Sequence, residues 1–203
     1  MSKIIKPGVT LLIVAAAAAF ILGLVNMGTA GRIEALAIET MENAMQTVLP
    51  ADSYTDLGVE DDGEINSVHT ASNGGWVVEV TETGSQGTIT MMVGVSADYA
   101  CTGISITDSS ETAGLGAIAS QSSDKGDAFR AQFVGQSGTV SVDKDGGEID
   151  SITGATITSR AVCTGVTAAI SWCEMQSGAS AEVNTASAEA SNEASADPSA
   201  ELG

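Results

Sequence analysis

The chain has 203 residues, and 26 acidic against 7 basic side chains give it a formal net charge of −19. This length accommodates one membrane or signal segment, one domain of about 130 residues and a tail. Nucleic acid is excluded as a partner, because so few cations cannot neutralise a phosphate backbone. Three cysteines without a CxxC motif and a single histidine do not supply the ligands of a zinc site. The odd number of cysteines argues against a disulfide scaffold, although it allows one disulfide.

An apolar run near the N-terminus predicts a membrane anchor over residues 9–30. No charged residue lies between Lys6 and Arg32, and the 19 mostly apolar positions of Val9–Met27 would span roughly 28 Å as a helix. Lysines precede the run and acidic residues follow Arg32, so residues 1–8 are expected in the cytoplasm and the rest of the chain outside it. A cleaved signal peptide is the alternative, with small residues at 28–30. The length of the apolar run favours the anchor.

Residues 31–73 are expected to form a membrane-proximal helix and a linker. Apolar residues share one broad face over Ile33–Leu49, Pro50 follows, and this helix could continue the membrane span outward. The segment Asp52–Asn73 is acidic, weakly periodic and rich in turn-forming residues. Its histidine, His69, is predicted to lie at the surface.

Residues 74–173 are predicted to form an α+β domain. Alternation of apolar and polar residues predicts a strand over Trp76–Glu82. A second strand is predicted over Thr88–Val95 and a third over Cys101–Thr107, with a hairpin turn at Gly84–Gly87 between the first two. Short turns imply antiparallel pairing. The remaining elements are a short helix over Ala128–Phe133, a strand over Thr139–Val142 and a last helix over Arg160–Trp172. Cys163 and Cys173 fall on that helix, where packing is their expected role.

Residues 174–203 are predicted to be a disordered acidic tail. The segment is rich in Ala, Ser and Glu and contains no aromatic residue. It cannot bury enough apolar surface to offset the entropy lost on ordering.

The stretch Asp150–Ser159 combines an acid, several hydroxyls and a glycine turn at the expected start of the last helix. A helix start collects unpaired N–H groups and the positive end of the helix dipole, so it suits a phosphate. Thr156 offers a hydroxyl there, while Thr158 and Ser159 could cap the helix or donate to phosphate oxygens. Arg160 could supply a cation or point to solvent. An ordinary strand–turn–helix junction would use the same residue types. No set of side chains indicates hydrolysis or acyl transfer, so no catalytic residue is predicted.

Two motifs resemble the FMN-binding domain family, and the similarity extends over about Gly75–Trp172. Asp150, Thr153, Gly154, Ala155 and Thr156 match its Asp-x-x-(Ser/Thr)-Gly-Ala-Thr signature. Glu111–Gly116 is similar to its Glu-Thr-Pro-Gly-Leu-Gly loop, with Ala113 in place of proline. The family includes the G subunit of the Rnf ion-translocating oxidoreductase and the C subunit of the sodium-pumping NADH:quinone reductase.

The resemblance implies roles for individual residues. Thr156 would carry FMN through a phosphoester, and a separate flavin transferase that moves FMN from FAD would recognise Asp150, Thr153, Gly154 and Ala155. The residues bordering the cofactor would be Glu111, Thr112, Gly114, Leu115 and Gly116. Ala113 lacks the fixed φ of proline, so the loop is expected to be looser than in the family.

The resemblance also implies a function and partners. The chain would be a single-pass membrane protein with its FMN domain outside the cytoplasm, carrying electrons within an Rnf-like complex. Other membrane subunits would handle ferredoxin and NAD and couple electron transfer to ion transport. The alternatives are a protein like the C subunit of the quinone reductase, a stand-alone membrane-anchored FMN-binding protein for extracellular electron transfer, and a redox-inert domain with a degenerate site.

Overall fold

A computed structural model describes residues 2–59 and 63–193. The chain divides into two compact units, Met1–Asn43 and Ala44–Gly203. Helix α1, Ser2–Val48, provides nearly all of the first unit and contributes its last turn to the second.

The N-terminal apolar helix predicted from the sequence is confirmed. α1 is one continuous helix of 47 residues that includes both the predicted anchor and the predicted membrane-proximal helix. Its stretch Gly8–Val48 is long and apolar enough to cross a membrane, and an 18-residue window within it has a mean hydropathy of 2.6. Large apolar side chains such as Leu12, Phe20 and Leu22 are exposed along it, a surface that suits lipid rather than water.

The second unit is built on a five-stranded antiparallel sheet. Its strands are β1 (Tyr54–Asp56), β2 (Ile65–Ala71), β3 (Trp76–Thr83), β4 (Thr88–Val95) and β5 (Cys101–Ser109), and their spatial order follows the chain. β3, β4 and β5 confirm the strands predicted over Trp76–Glu82, Thr88–Val95 and Cys101–Thr107. The amide of Gly84 donates to the Gly87 carbonyl at 2.8 Å and closes the predicted hairpin turn.

β1 and β2 lie in the segment predicted to be an irregular linker. β2 pairs with β3, with Val68 opposite Val78 and His69 opposite Val77. The surface prediction for His69 was wrong, since only 8% of the residue is exposed. Strands pair with β2 on both sides, and this pairing outweighs a weakly periodic sequence.

The last turn of α1 packs on one face of the sheet. The Thr102 hydroxyl of β5 donates to the Val48 carbonyl at 2.6 Å. A Cβ on Gly94 of β4 would lie 2.5 Å from the same oxygen, so glycine permits this close approach. Val48 and Leu49 are buried there.

Helix α3, Thr156–Glu193, packs on the opposite face, against β3, β4 and β5. At the crossing, a Cβ on Gly165 would lie 2.8 Å from Met91 Cε and 3.2 Å from Val80 Cγ1. Cys101, Cys163 and Cys173 are free thiols in this core, and burial raises their pKa values to about 11, 12 and 12. All three thiols pack as small apolar groups, which is the role predicted for Cys163 and Cys173 on the last helix.

The helices differ in extent from those predicted. Helix α2 is Asp124–Ala131 rather than Ala128–Phe133, because the Ser123 hydroxyl accepts from the Gly126 amide at 3.2 Å and starts it earlier. α3 begins at Thr156 rather than Arg160 and continues into the predicted tail as far as Glu193. Residues 194–203 lie outside the described residues, and disorder of the tail stays a prediction. The predicted strand Thr139–Val142 is wrong: one isolated bridge joins Val142 to Ile149.

Candidate functional site

The signature turn places Thr156 at the first residue of α3. The Ala155 amide donates to the Ile152 carbonyl at 2.9 Å, and Gly154 has a φ of +82°. A side chain at Gly154 would be strained at that φ and would also lie 3.2 Å from Leu115 Cδ2. Glycine therefore allows both the turn and the contact with the Glu111–Gly116 loop.

The hydroxyl of Thr156 is held by a lysine. Thr156 is half-buried, and its Oγ1 accepts a hydrogen bond of 2.8 Å from Lys144 Nζ. The first amides of a helix have no partner within the helix and point toward its N-terminal end. A nucleophilic oxygen, a cation and the positive end of a helix therefore coincide at Thr156.

Thr158 joins the two motifs inside the protein. Only 1% of Thr158 is exposed, and its Oγ1 donates to Glu111 Oε2 at 3.0 Å. The other oxygen of Glu111 accepts from the amides of Ser85, at 2.5 Å, and Gln86, at 3.2 Å. Glu111 thus connects the β3–β4 hairpin to the start of α3.

Gly116 leaves room for this connection. A Cβ there would lie 2.6 Å from Thr158 Oγ1 and would collide with the Glu111 carboxylate. Upstream in the loop, the amides of Leu115 and Ala117 both donate to the Thr112 carbonyl at 3.2 Å. Leu115 is 46% exposed and lies beside Gly154, so it places an apolar surface next to the signature turn.

Ser159 supports the turn from within. Ser159 is fully buried; it accepts from the Ile152 amide at 3.0 Å and donates to the Ala155 carbonyl at 3.1 Å. Thr158 and Ser159 therefore both make hydrogen bonds inside the protein, which fix the geometry around Thr156.

Asp150 and Thr153 face a different part of the surface from the Glu111 connection. The Asp150 backbone is held by Gln132, which accepts from its amide at 2.7 Å and donates to its carbonyl at 3.4 Å. Both residues line a cavity of about 490 Å³ between the signature and α2. The lining residues are Ile118, Lys125, Ala128, Phe129, Gln132, Asp150, Ile152 and Thr153. Asp150 and Thr153 are therefore both exposed at the surface on this side of the signature.

A short turn at Asp143–Asp145, which the sequence reasoning missed, carries Lys144. Asp143 Oδ1 accepts from the Ser151 amide at 3.1 Å, which lowers the Asp143 pKa. Arg160 Nε and Nη2 donate to the two oxygens of Asp145 at 2.6 and 2.8 Å. This pairing lowers the pKa of Asp145 and raises that of Arg160. Arg160 therefore pairs with a carboxylate. In the sequence, the feature that could have pointed to Lys144 is the charged Asp-Lys-Asp-Gly turn that lies shortly before the signature.

Comparisons with known proteins agree with these features. Residues 84–171 match the FMN-binding domain family, a range that includes both motifs. The chain is 34% identical over 188 residues to the G subunit of the ion-translocating oxidoreductase complex of Methanosarcina acetivorans, covering 87% of this chain and 97% of that protein.

Two bacterial relatives carry more specific names. The G subunit of the Na⁺-translocating ferredoxin:NAD⁺ oxidoreductase complex of Acetobacterium woodii is 35% identical over 82% of this chain and 90% of its own length. The G subunit of the proton-translocating ferredoxin:NAD⁺ oxidoreductase complex of Clostridium ljungdahlii is 40% identical over 47% of this chain and 51% of its own. The chain belongs to the G-subunit family of ion-translocating oxidoreductase complexes, and it contains an FMN-binding domain.

Proposed function

We propose that this electron-transfer subunit of an ion-translocating oxidoreductase holds FMN covalently, through a phosphoester to Thr156. The observation that carries the proposal is the environment of the Thr156 hydroxyl. It lies at the first residue of α3 and is hydrogen-bonded to Lys144 at 2.8 Å. A phosphodiester formed there would carry one negative charge beside a cation and a helix N-terminus, both of which stabilise an anion.

The described residues also fit the rest of the cofactor. Leu115 and Ile157 are 46% and 56% exposed, and they flank the signature turn and Thr156, so apolar surface is available to the flavin ring. Gly154 places no side chain between Thr156 and Leu115. When bound, the isoalloxazine ring supplies the electron chemistry. The protein positions the ring through the Thr156 oxygen and the Glu111–Gly116 loop.

The attachment requires a flavin transferase. In the proposed step, Thr156 Oγ1 forms a bond to the phosphorus of the FMN half of FAD. The pyrophosphate P–O bond breaks, AMP leaves, and the threonine proton passes to a base of the transferase. The transferase would read Asp150, Thr153, Gly154 and Ala155, and the cavity beside α2 leaves Asp150 and Thr153 accessible to it.

The proposed site lies on the extracytoplasmic side of the membrane. α1 provides the anchor, and the lysines at positions 3 and 6 lie before its apolar stretch, which favours a cytoplasmic N-terminus. A domain outside the cytoplasm cannot draw on the cytoplasmic pool of FMN, and an ester bond prevents loss of the cofactor by dilution.

In-gel fluorescence tests the linkage. The full chain is co-expressed with a flavin transferase, denatured and separated by electrophoresis, and its band is viewed under ultraviolet light. We expect a fluorescent wild-type band, none for Thr156→Ala, and wild-type fluorescence for Thr164→Ala. Thr164 is a matched control because it is an exposed threonine of the same helix. A dark wild-type band would refute covalent attachment, and equal bands in wild type and Thr156→Ala would refute the acceptor.

Complex membership separates the proposal from its alternative, a stand-alone FMN-binding protein. The names of the relatives favour a subunit of a ferredoxin:NAD⁺ oxidoreductase complex, with other membrane subunits as partners. Purification of the tagged chain from native membranes in mild detergent should yield those subunits together with ferredoxin-dependent NAD⁺ reduction. Recovery of the chain alone, with FMN bound, would favour the stand-alone protein.

A further inference from the structure

Lys144 lies on a turn that contacts both the signature and α3. Its turn is tied to the signature by the Ser151–Asp143 hydrogen bond and to α3 by the two bonds between Arg160 and Asp145. The neighbours of Lys144 on both sides are therefore fixed to the structure that carries Thr156. These contacts place the backbone of Lys144 within reach of Thr156.

The ammonium of Lys144 donates its hydrogen bond to an uncharged group. After Arg32 the sequence contains only four basic residues, Lys125, Arg130, Lys144 and Arg160. Within residues 2–59 and 63–193, Arg130 pairs with Asp127 and Arg160 with Asp145. The ammonium of Lys144 forms no such ion pair: it contributes to the lowered pKa of Asp143, but its hydrogen bond goes to the hydroxyl of Thr156. In a chain with 26 acidic residues, a lysine placed on a hydroxyl rather than a carboxylate indicates a site for an incoming anion.

We propose that Lys144 is a positioning residue for flavin attachment. This inference rests on the proposed function of Thr156. An ammonium donates and cannot accept, so Lys144 is not the base in the step. It holds Oγ1 in one rotamer, with the hydroxyl proton directed away toward the base of the transferase. As the Oγ1–P bond forms and AMP leaves, the same ammonium stabilises the charge on the phosphate oxygens.

The rate of attachment measures this role. Full-length chain purified in detergent without flavin is incubated with transferase and FAD, and the fluorescence of the denatured protein is followed in time. A charge-assisted hydrogen bond contributes about 1.5–3 kcal/mol, so Lys144→Met should slow the maximal rate by about ten- to a hundredfold. Lys144→Arg should recover most of the rate, because it restores a cationic donor. Arg32→Met is the matched control, because it removes an exposed cation of α1 that belongs neither to the signature nor to the cavity beside α2, and it should react like the wild type.

The rates of these variants can overturn the proposed role of Lys144. A wild-type rate of attachment in Lys144→Met overturns the inference. It is also overturned if Lys144→Arg reacts as slowly as Lys144→Met while both variants have the unfolding midpoint of the wild type. A raised KM for the chain with an unchanged kcat also overturns it, because Lys144 would then be a docking contact for the transferase. A wild-type chain that never becomes fluorescent refutes the proposed function instead, so the two failures are distinguishable.

Discussion

The bond between Thr158 and Glu111 predicts a measurable loss of stability in Thr158→Val. Valine keeps the shape of threonine but removes the 3.0 Å hydrogen bond to Glu111 Oε2. A hydrogen bond to a charged group contributes about 1.5–3 kcal/mol. Glu111 is half-buried and keeps the amides of Ser85 and Gln86, so the lower end, about 1.5 kcal/mol, applies.

Thermal unfolding of the second unit, Ala44–Gly203, is the appropriate assay. For a unit of this size, 1 kcal/mol shifts the midpoint by about 2–4 °C, so Thr158→Val should lower it by about 3–6 °C. The full chain is unfolded in detergent and followed by tryptophan fluorescence. Thr164→Val, at an exposed position of α3, is the control and should stay within about 1–2 °C of the wild type. Equal midpoints for the two variants would refute the reasoning that this bond stabilises the site.

Two further predictions concern the sheet. Burial, followed by the nearby Glu64 carboxylate, raises the pKa of Glu82. A carboxyl with a raised folded pKa binds protons more tightly when folded, so it lowers stability as the pH rises through that pKa. Glu82→Gln should therefore raise the thermal unfolding midpoint at pH 8, and this gain should disappear once the pH falls below the ordinary range of glutamate pKa values. A difference in midpoint between variant and wild type that stays constant across pH would contradict this prediction. Gly94→Ala should cost about 1–3 kcal/mol in denaturant unfolding, because its Cβ would lie 2.5 Å from the Val48 carbonyl. Gly103→Ala is the matched control, since the corresponding contact is an ordinary 3.4 Å, and equal losses in both would show that the close approach at Gly94 is not the cause.

Local patterns were sufficient for the elements that depend on neighbouring residues. β3 begins with a clear alternation of apolar and polar residues, and short turns join it to β4 and β4 to β5, so the pairing of these strands could be predicted along the chain. The apolar run of α1 was equally clear because lipid imposes a simple length and composition. The signature also marked the start of a helix, although α3 begins at Thr156 itself.

The prediction failed where the local sequence pattern and the pairing that the fold provides disagree. β2 has a weak pattern and becomes a strand because β3 offers it a paired edge, which also buries His69. The predicted strand at Thr139–Val142 has strand-forming residues, but its described pairing is the single bridge of Val142 to Ile149. Side-chain propensity was thus overruled by the availability of a partner.

The sequence by itself determined the membrane helix, the antiparallel core of the domain and the hydroxyl that is the candidate acceptor. Only the tertiary structure decided what surrounds that hydroxyl. Thr158 meets Glu111 across 47 positions of the chain, and Lys144 reaches Thr156 across 12. Such contacts arise because the β3–β4 hairpin, the Asp143–Asp145 turn and the start of α3 converge in space. Periodicity within a segment carries information about its own faces and none about which distant side chain will meet them.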